Sequence, residues 1–205
     1  MKQQSAGYGI NCNWLVISLF VVVTLTMLVL YMPALGTFDA NLLKSVRLFL
    51  SPYPICIPTF VSSFGYANHL LWPQITLACV LLSHEKYLKA FLAVFFTQAT
   101  FVSVSYVKEI ICRERPSVLE GYSFPSMHSA LTMCFYGIVI YFVLRNVHNK
   151  FLRYFLVTVF GLWIFLVIIS RMWLNVHYPT DVIAGAFVGV FMLNLFIICV
   201  KFFNK

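Results

Sequence analysis

The sequence predicts an all-α polytopic membrane protein with six transmembrane helices. Of its 205 residues, 61% are hydrophobic and only 10% charged, whereas a soluble globular domain carries roughly 25% charged residues. Mean hydropathy is +0.90. The apolar residues also fall into runs close to the about 20 residues that a helix needs to cross the hydrocarbon core. The polar links between them are short, so one membrane-embedded domain is expected over residues 1–205, with no soluble domain, internal repeat or low-complexity tract.

The first expected span, 14–32, runs uncharged from Trp14 to Met32 and stops at Pro33. A cleaved signal peptide ending at Ala34-Leu35-Gly36 is the rival reading. The apolar run exceeds the roughly 7 to 15 residues of a signal core, so a retained anchor is expected. From Asp39 to Ala67 the chain is mixed, with Lys44 and Arg47 among apolar residues and then Pro52, Pro54 and Pro58. This predicts an interfacial helix followed by an irregular segment, placed to cover a lipid access route. Further spans are expected at 68–83, interrupted by Pro73, and at 87–107, which ends in the charge cluster from Lys108 to Glu120. The last three are expected at 128–144, 152–169 and 181–200.

The six cysteines, at 12, 56, 79, 112, 134 and 199, form no CxxC pair, and four lie in or beside apolar runs as small apolar residues. Cys56 and Cys112 fall in loops expected on one side of the membrane, which leaves a disulfide between them open.

Orientation follows from the basic residues. With both termini inside, Lys2, Lys86, Lys89, Arg145, Lys150, Arg153, Lys201 and Lys205 are cytoplasmic, against Lys44, Arg47, Lys108, Arg113, Arg115 and Arg171 outside. Three of the outer six belong to the anion site described next, leaving eight against three. The positive-inside rule then puts the loops after spans one, three and five on the non-cytoplasmic face.

The formal charge of +8 fits an anionic membrane surface or an anionic substrate. It does not fit nucleic acid, because no basic run tracks a phosphate backbone. The outer segments bring Lys108, Arg115 and Arg171 to one membrane depth, with two histidines, a serine and one aspartate. Lysine supplies a point charge, and each arginine a planar fork that matches phosphate oxygens. Ser126 stands where a helix begins, and the unpaired N–H groups of that first turn form a ready anion site. His177 and Asp181 are four positions apart, with Pro179 suited to the first helical turn between them. The aspartate can therefore accept from one ring nitrogen of His177 and leave the other free to attack phosphorus. His128 remains as the general acid for the departing oxygen.

KxxxxxxRP at Lys108 to Pro116, PSMH at 125 to 128 and SRxxxxxHxxxD at Ser170 to Asp181 together resemble the three-part signature of the type 2 phosphatidic acid phosphatase superfamily, in spacing and in order. The resemblance covers about a third of the chain, Lys108 to Asp181. It implies that Lys108, Arg115 and Arg171 bind the phosphate and Ser126 adds a hydrogen bond. It also implies that His128 is the acid, His177 the nucleophile and Asp181 its orienting partner, with no metal and no cofactor. Met127 departs from the usual PSGH block. Methionine lacks the freedom of glycine at positive φ, so the loop geometry must suit an ordinary residue; some superfamily members with a bulky residue there resemble phosphotransferases.

Singly, lysines and arginines at span ends are interfacial anchors, and it is the three matched spacings together that single these out. Arg113, Glu109, Glu114 and Glu120 are expected to be solvated loop residues, and His69, His84 and His148 structural or exposed. The expected function is hydrolysis of a lipid phosphomonoester or pyrophosphate. Undecaprenyl pyrophosphate, phosphatidylglycerophosphate, phosphatidic acid and lipid A all suit the pocket, and the only other partners expected are membrane lipids. The expected location is a bacterial inner membrane, with the site on the periplasmic or outer face. A lipid phosphotransferase using the same intermediate, or a non-catalytic transporter or binding member, is the alternative.

Overall fold

The computed structural model describes residues 12–203. Lys2, Lys205 and the side chain of Cys12, all used above, fall outside that description. The described chain is helical, in the order α1 (Cys12–Tyr31), α2 (Pro33–Leu50), α3 (Cys56–Ser63), α4 (Ala67–Ser83), α5 (Tyr87–Ile111), α6 (Met127–Asn146), α7 (Lys150–Trp173) and α8 (Pro179–Phe203). Among the described residues, α1, α5, α6, α7 and α8 are long and apolar enough to cross a membrane. The span expected at 68–83 forms α4, whose 17 residues reach about 26 Å at 1.5 Å per residue. It falls just outside that group of five.

Local sequence explains the boundaries. The extended Met32 ends α1, and Pro33 opens α2 at the position where its missing N–H costs nothing. On α2, Asp39 and Leu43 lie one turn apart on a buried face, while Lys44 and Arg47 are exposed. The segment expected to be irregular is a correction, because Cys56–Ser63 folds as α3. Pro58 sits in its first turn, where no intrahelical N–H bond is lost. At the end of α5, Cys112 adopts φ 52° and its N–H returns to the Lys108 carbonyl at 3.0 Å, a left-handed cap that turns the chain back over the bundle end. Met127 is the first residue of α6 and is absent from the positive-φ positions, so the replaced glycine demands no special backbone. Cys56 and Cys112 are both free, exposed thiols.

The central packing is α6 against α8, with α1 and α5 also laid along α8 and α7 against α6. Small residues make it close. A Cβ added at Gly189 would meet the Ala130 carbonyl oxygen and Met133 Cβ, each at 2.6 Å. Where lipid removes the hydrophobic drive between helices, such close backbone approach supplies the dispersion contacts that associate them. Away from the N-terminus of α8, Phe196 is fully buried, its ring 5.7 Å from Tyr141, 5.9 Å from Phe142 and 6.3 Å from Phe96. Asp181 and Phe196 are fifteen residues apart on α8, about 22 Å along the axis, so this aromatic core anchors the end opposite the polar cluster. Phe20, Trp72, Phe151 and Phe165 are exposed on the outer faces, an apolar surface that suits acyl chains rather than water.

Candidate active site

The start of α8 positions its aspartate. Pro179 is the first helical residue and Asp181 the third, and Asp181 Oδ2 reaches back to accept the Tyr178 N–H at 2.8 Å. This is the acidic half of a capping box, in which a carboxylate at the third position satisfies an orphan N–H ahead of the helix. His177, one residue further back, then lies with Nδ1 3.5 Å from the same Oδ2. That distance is long for a hydrogen bond, and Nδ1 is buried without another partner. Contacts of this kind tighten in a bound complex.

On the other side of the ring, Arg115 Nη1 points at His177 Nε2 from 3.4 Å. A guanidinium only donates, so its partner Nε2 is the unprotonated nitrogen and Nδ1 carries the proton that faces Asp181. Burial pushes the imidazole down to about 4; Asp181 opposes this, and Lys108 and Arg171 add to it. Neutral imidazole is therefore the resting form, with its free lone pair directed to the side where a cation waits.

Each expected anion ligand is held by backbone or by α3. Lys108 Nζ donates to the Tyr122 carbonyl and, at 3.1 Å, to that of Ser123, tying the end of α5 to the loop before α6. Arg115 donates through Nε to the Gly121 carbonyl and through Nη1 to that of Val176, both at 3.2 Å. Burial draws this guanidinium below its ordinary value while Asp181 raises it, and it keeps its charge. Arg171 is buried, donates from Nη1 to Ser62 Oγ and leaves Nε without a protein partner.

Ser126 caps α6. Its Oγ accepts from Ser129 N at 3.5 Å and from Ser129 Oγ at 3.1 Å, and its own N–H donates to the Asp181 carbonyl at 2.9 Å. His128 follows in the first turn, buried, with Nε2 lacking a protein partner and its ring set edge-on to Tyr66 at 4.5 Å. All seven expected residues thus gather at one end of the bundle. Two buried imidazoles and three cations gathered at one end of the bundle are a set that can bind a phosphoryl group, attack it and protonate what leaves.

Three residues escaped the sequence reading. Arg113, expected to be solvated, is only 13% exposed and bridges Asp181 Oδ1 at 2.6 Å and Asp39 Oδ2 at 2.7 Å. Thr180 joins them, accepting from Arg113 Nη1 at 2.8 Å and donating its hydroxyl to Asp39. Asp39 is fully buried. The signal for it was a lone carboxylate within a largely apolar segment of a membrane chain, where an ionisable group normally has a partner and a task.

The family model described as the PAP2 superfamily matches residues 86–205, more than half of the chain. The chain is 26% identical to phosphatidylglycerophosphatase B of Bacillus subtilis over 189 residues, 87% of this chain and 91% of that protein. It is 30% identical over 116 residues to lipid A 4'-phosphatase of Bacteroides thetaiotaomicron, covering 49% of this chain and 48% of the other. The crystal structure of a transmembrane PAP2-type phosphatidylglycerolphosphate phosphatase from Bacillus subtilis superposes with a TM-score of 0.79 at 22% identity, over 93% of this chain and 95% of that one. LpxE of Aquifex aeolicus superposes with a TM-score of 0.57 at 23% identity, over 78% and 94%.

Proposed function

Because the chain belongs to the PAP2 superfamily, we propose that this integral membrane protein is a phosphatase hydrolysing a phosphomonoester or pyrophosphate of a lipid through a phosphohistidine at His177. The observation that carries the mechanism is His177 Nε2 facing the Arg115 guanidinium, a donor only, at 3.4 Å while Nδ1 faces Asp181 at 3.5 Å. Nε2 attacks phosphorus, the bond to the lipid oxygen breaks, and His128 gives that oxygen its proton. Water then attacks the phosphohistidine, His128 takes a proton back, and inorganic phosphate leaves. Lys108, Arg115 and Arg171 hold the equatorial charge in both displacements, with Ser126 and the start of α6 beside them.

A lipid is favoured by an apolar groove of about 800 Å³ between α3, α4, α6 and α7, lined by Phe60, Phe64, Trp72, Phe135 and Phe160. His69 lies on its wall, and Tyr66 packs against both His69 and His128, so a chain in the groove ends one ring from the acid. The names of the two curated relatives also specify lipid phosphates. Phosphatidylglycerophosphate, phosphatidic acid, undecaprenyl pyrophosphate and lipid A are the candidates.

Metal independence is part of the proposal. Three cations already gather at the proposed phosphate position, and the two buried carboxylates, Asp39 and Asp181, are both bound to Arg113. With α4 counted as a sixth span, both termini are cytoplasmic and the site opens at the outer face of a bacterial inner membrane. The test is purified protein in detergent, given the four candidate lipids with and without EDTA. Phosphate release unaffected by EDTA is expected. Loss with EDTA and rescue by Mg²⁺ would overturn the mechanism, and turnover that needs an added lipid acceptor would instead indicate a phosphotransferase.

A further inference from the structure

Asp181 divides its two oxygens. Oδ2 takes the Tyr178 N–H and faces His177 Nδ1, while Oδ1 takes Arg113 Nη1 at 2.6 Å. The guanidinium is itself fixed on several sides: Nη2 to Asp39 Oδ2 at 2.7 Å, Nη1 also to Thr180 Oγ1 at 2.8 Å, and the Tyr178 ring 4.4 Å from Cζ. Asp39 reaches this point from α2 and accepts the Thr180 N–H at 3.3 Å and the Thr180 hydroxyl, satisfying an orphan donor in the first turn of α8. Asp39 lies outside the residues that the family model matches.

We propose that Asp39 and Arg113 are positioning residues for the attacking histidine, a clamp from α2 that fixes the Asp181 carboxylate and holds its charge apart from the phosphate-binding cations. This rests on the nucleophile assignment above. Without Arg113, the buried Asp181 carboxylate would lose its paired cation, and Lys108 and Arg115, on which it already bears, would be drawn from the substrate. With it, the three anion ligands keep their charge for phosphate. The clamp, counting Asp39, Arg113 and Asp181, carries a net charge of −1.

That charge gives a signature which loss of packing alone would not. His177 is faced by Asp181 of α8, Lys108 of α5, Arg171 of α7, His128 of α6 and Arg115 of the loop. Arg113→Gln makes the clamp −2, favouring protonated imidazole, so the acid limb of kcat/KM moves to higher pH. Asp39→Asn makes it neutral, so the limb moves to lower pH. The Arg113→Gln shift should be about one pH unit, the scale for a nearby charge, and the Asp39→Asn shift smaller, because Asp39 lies beyond the guanidinium from the ring. kcat falls about 10²-fold in Arg113→Gln through misplacement of the ring, with KM within about twofold. Arg113→Lys keeps the charge but not the fork, so it keeps the wild-type acid limb while kcat still falls.

The experiment uses the full chain in detergent with p-nitrophenyl phosphate and phosphatidic acid, alongside His177→Ala. The ring ¹⁵N resonance missing from His177→Ala is followed against pH in each variant, a readout that needs no turnover. Opposite shifts in Arg113→Gln and Asp39→Asn support the clamp. Shifts of the same sign, or none in folded protein, overturn it, and Asp39→Asn with Arg113→Lys decide the matter should Arg113→Gln not fold. Activity surviving in His177→Ala would overturn the nucleophile assignment instead, whereas a dead His177→Ala beside a fully active Arg113→Gln would remove the clamp alone.

Discussion

Gly185 of α8 passes so close to Ser126 at the start of α6 that an added Cβ would meet the Ser126 carbonyl oxygen at 2.3 Å. The contact sets the distance between the helix that carries Asp181 and the helix that carries His128. Gly185→Ala should therefore force the two helix starts apart, cost about 1–3 kcal/mol as an overpacked contact and lower kcat. Gly161→Ala on α7, where an added Cβ meets nothing within 4 Å, should leave activity unchanged. Thermal unfolding in detergent and phosphate release from the two variants check this. Equal behaviour would contradict the close approach.

The two histidines should separate by leaving group. A lipid alcohol needs a proton as it departs, a contribution of roughly 10² to 10⁴ in rate from a placed acid; p-nitrophenolate does not. His128→Ala should therefore lose most of the first displacement on a lipid phosphate and recover much of it, read as a burst of p-nitrophenolate, on p-nitrophenyl phosphate, with the second displacement still slow; His177→Ala should give no release from either. Recovery in His177→Ala instead would exchange the two roles.

Burial holds the His177 imidazole down to about 4, so the attacking lone pair should be free down to roughly that pH. The acid limb of kcat/KM, which reports groups of the free enzyme, should lie near pH 4. Asp181→Asn should move it lower still, because the carboxylate is what raises it. Stability has the matching sign. An unfolded histidine titrates near 6.5, so between about pH 6.5 and 4 the unfolded state binds the extra proton and stability falls as pH falls. A pH–rate profile and unfolding curves over pH 4–8 check both, and an acid limb near 6.5 would contradict the buried neutral ring.

Orientation is tested by reporters. Fusions after Lys205 and within residues 146–150 should both read as cytoplasmic, as the basic residues at Lys86, Lys89, Arg145, Lys150 and Arg153 require. An exported signal from either would reverse the proposed face of the site.

The helical layout and the grouping of the seven candidate residues at one end of the bundle were legible because their constraints are local. Apolar run length marks a span, Pro33 and Pro179 mark helix starts, and three spaced motifs carry the polar groups. Arg113 was not legible, since solvated and ion-paired arginines in a charged loop read alike; only the fold brings Asp39 within 2.7 Å of it, across 74 positions of sequence. Cys56–Ser63 was misread because three prolines suggest irregular chain, although Pro58 in a first helical turn breaks nothing. The 17-residue α4 shows why the span count was the weaker part of the layout: length near the threshold and an internal Pro73 leave the pattern ambiguous.

The central claim is the covalent step at His177. Brief exposure of the wild-type protein to ³²P-labelled lipid phosphate, followed by quenching without acid, should leave label on the protein that is stable to base and labile to acid, as a phosphoramidate is. The label should be absent from His177→Ala and should accumulate in any variant that slows the second displacement. Label that survives in His177→Ala, or turnover by wild type with no labelled protein at any quench time, would contradict the account.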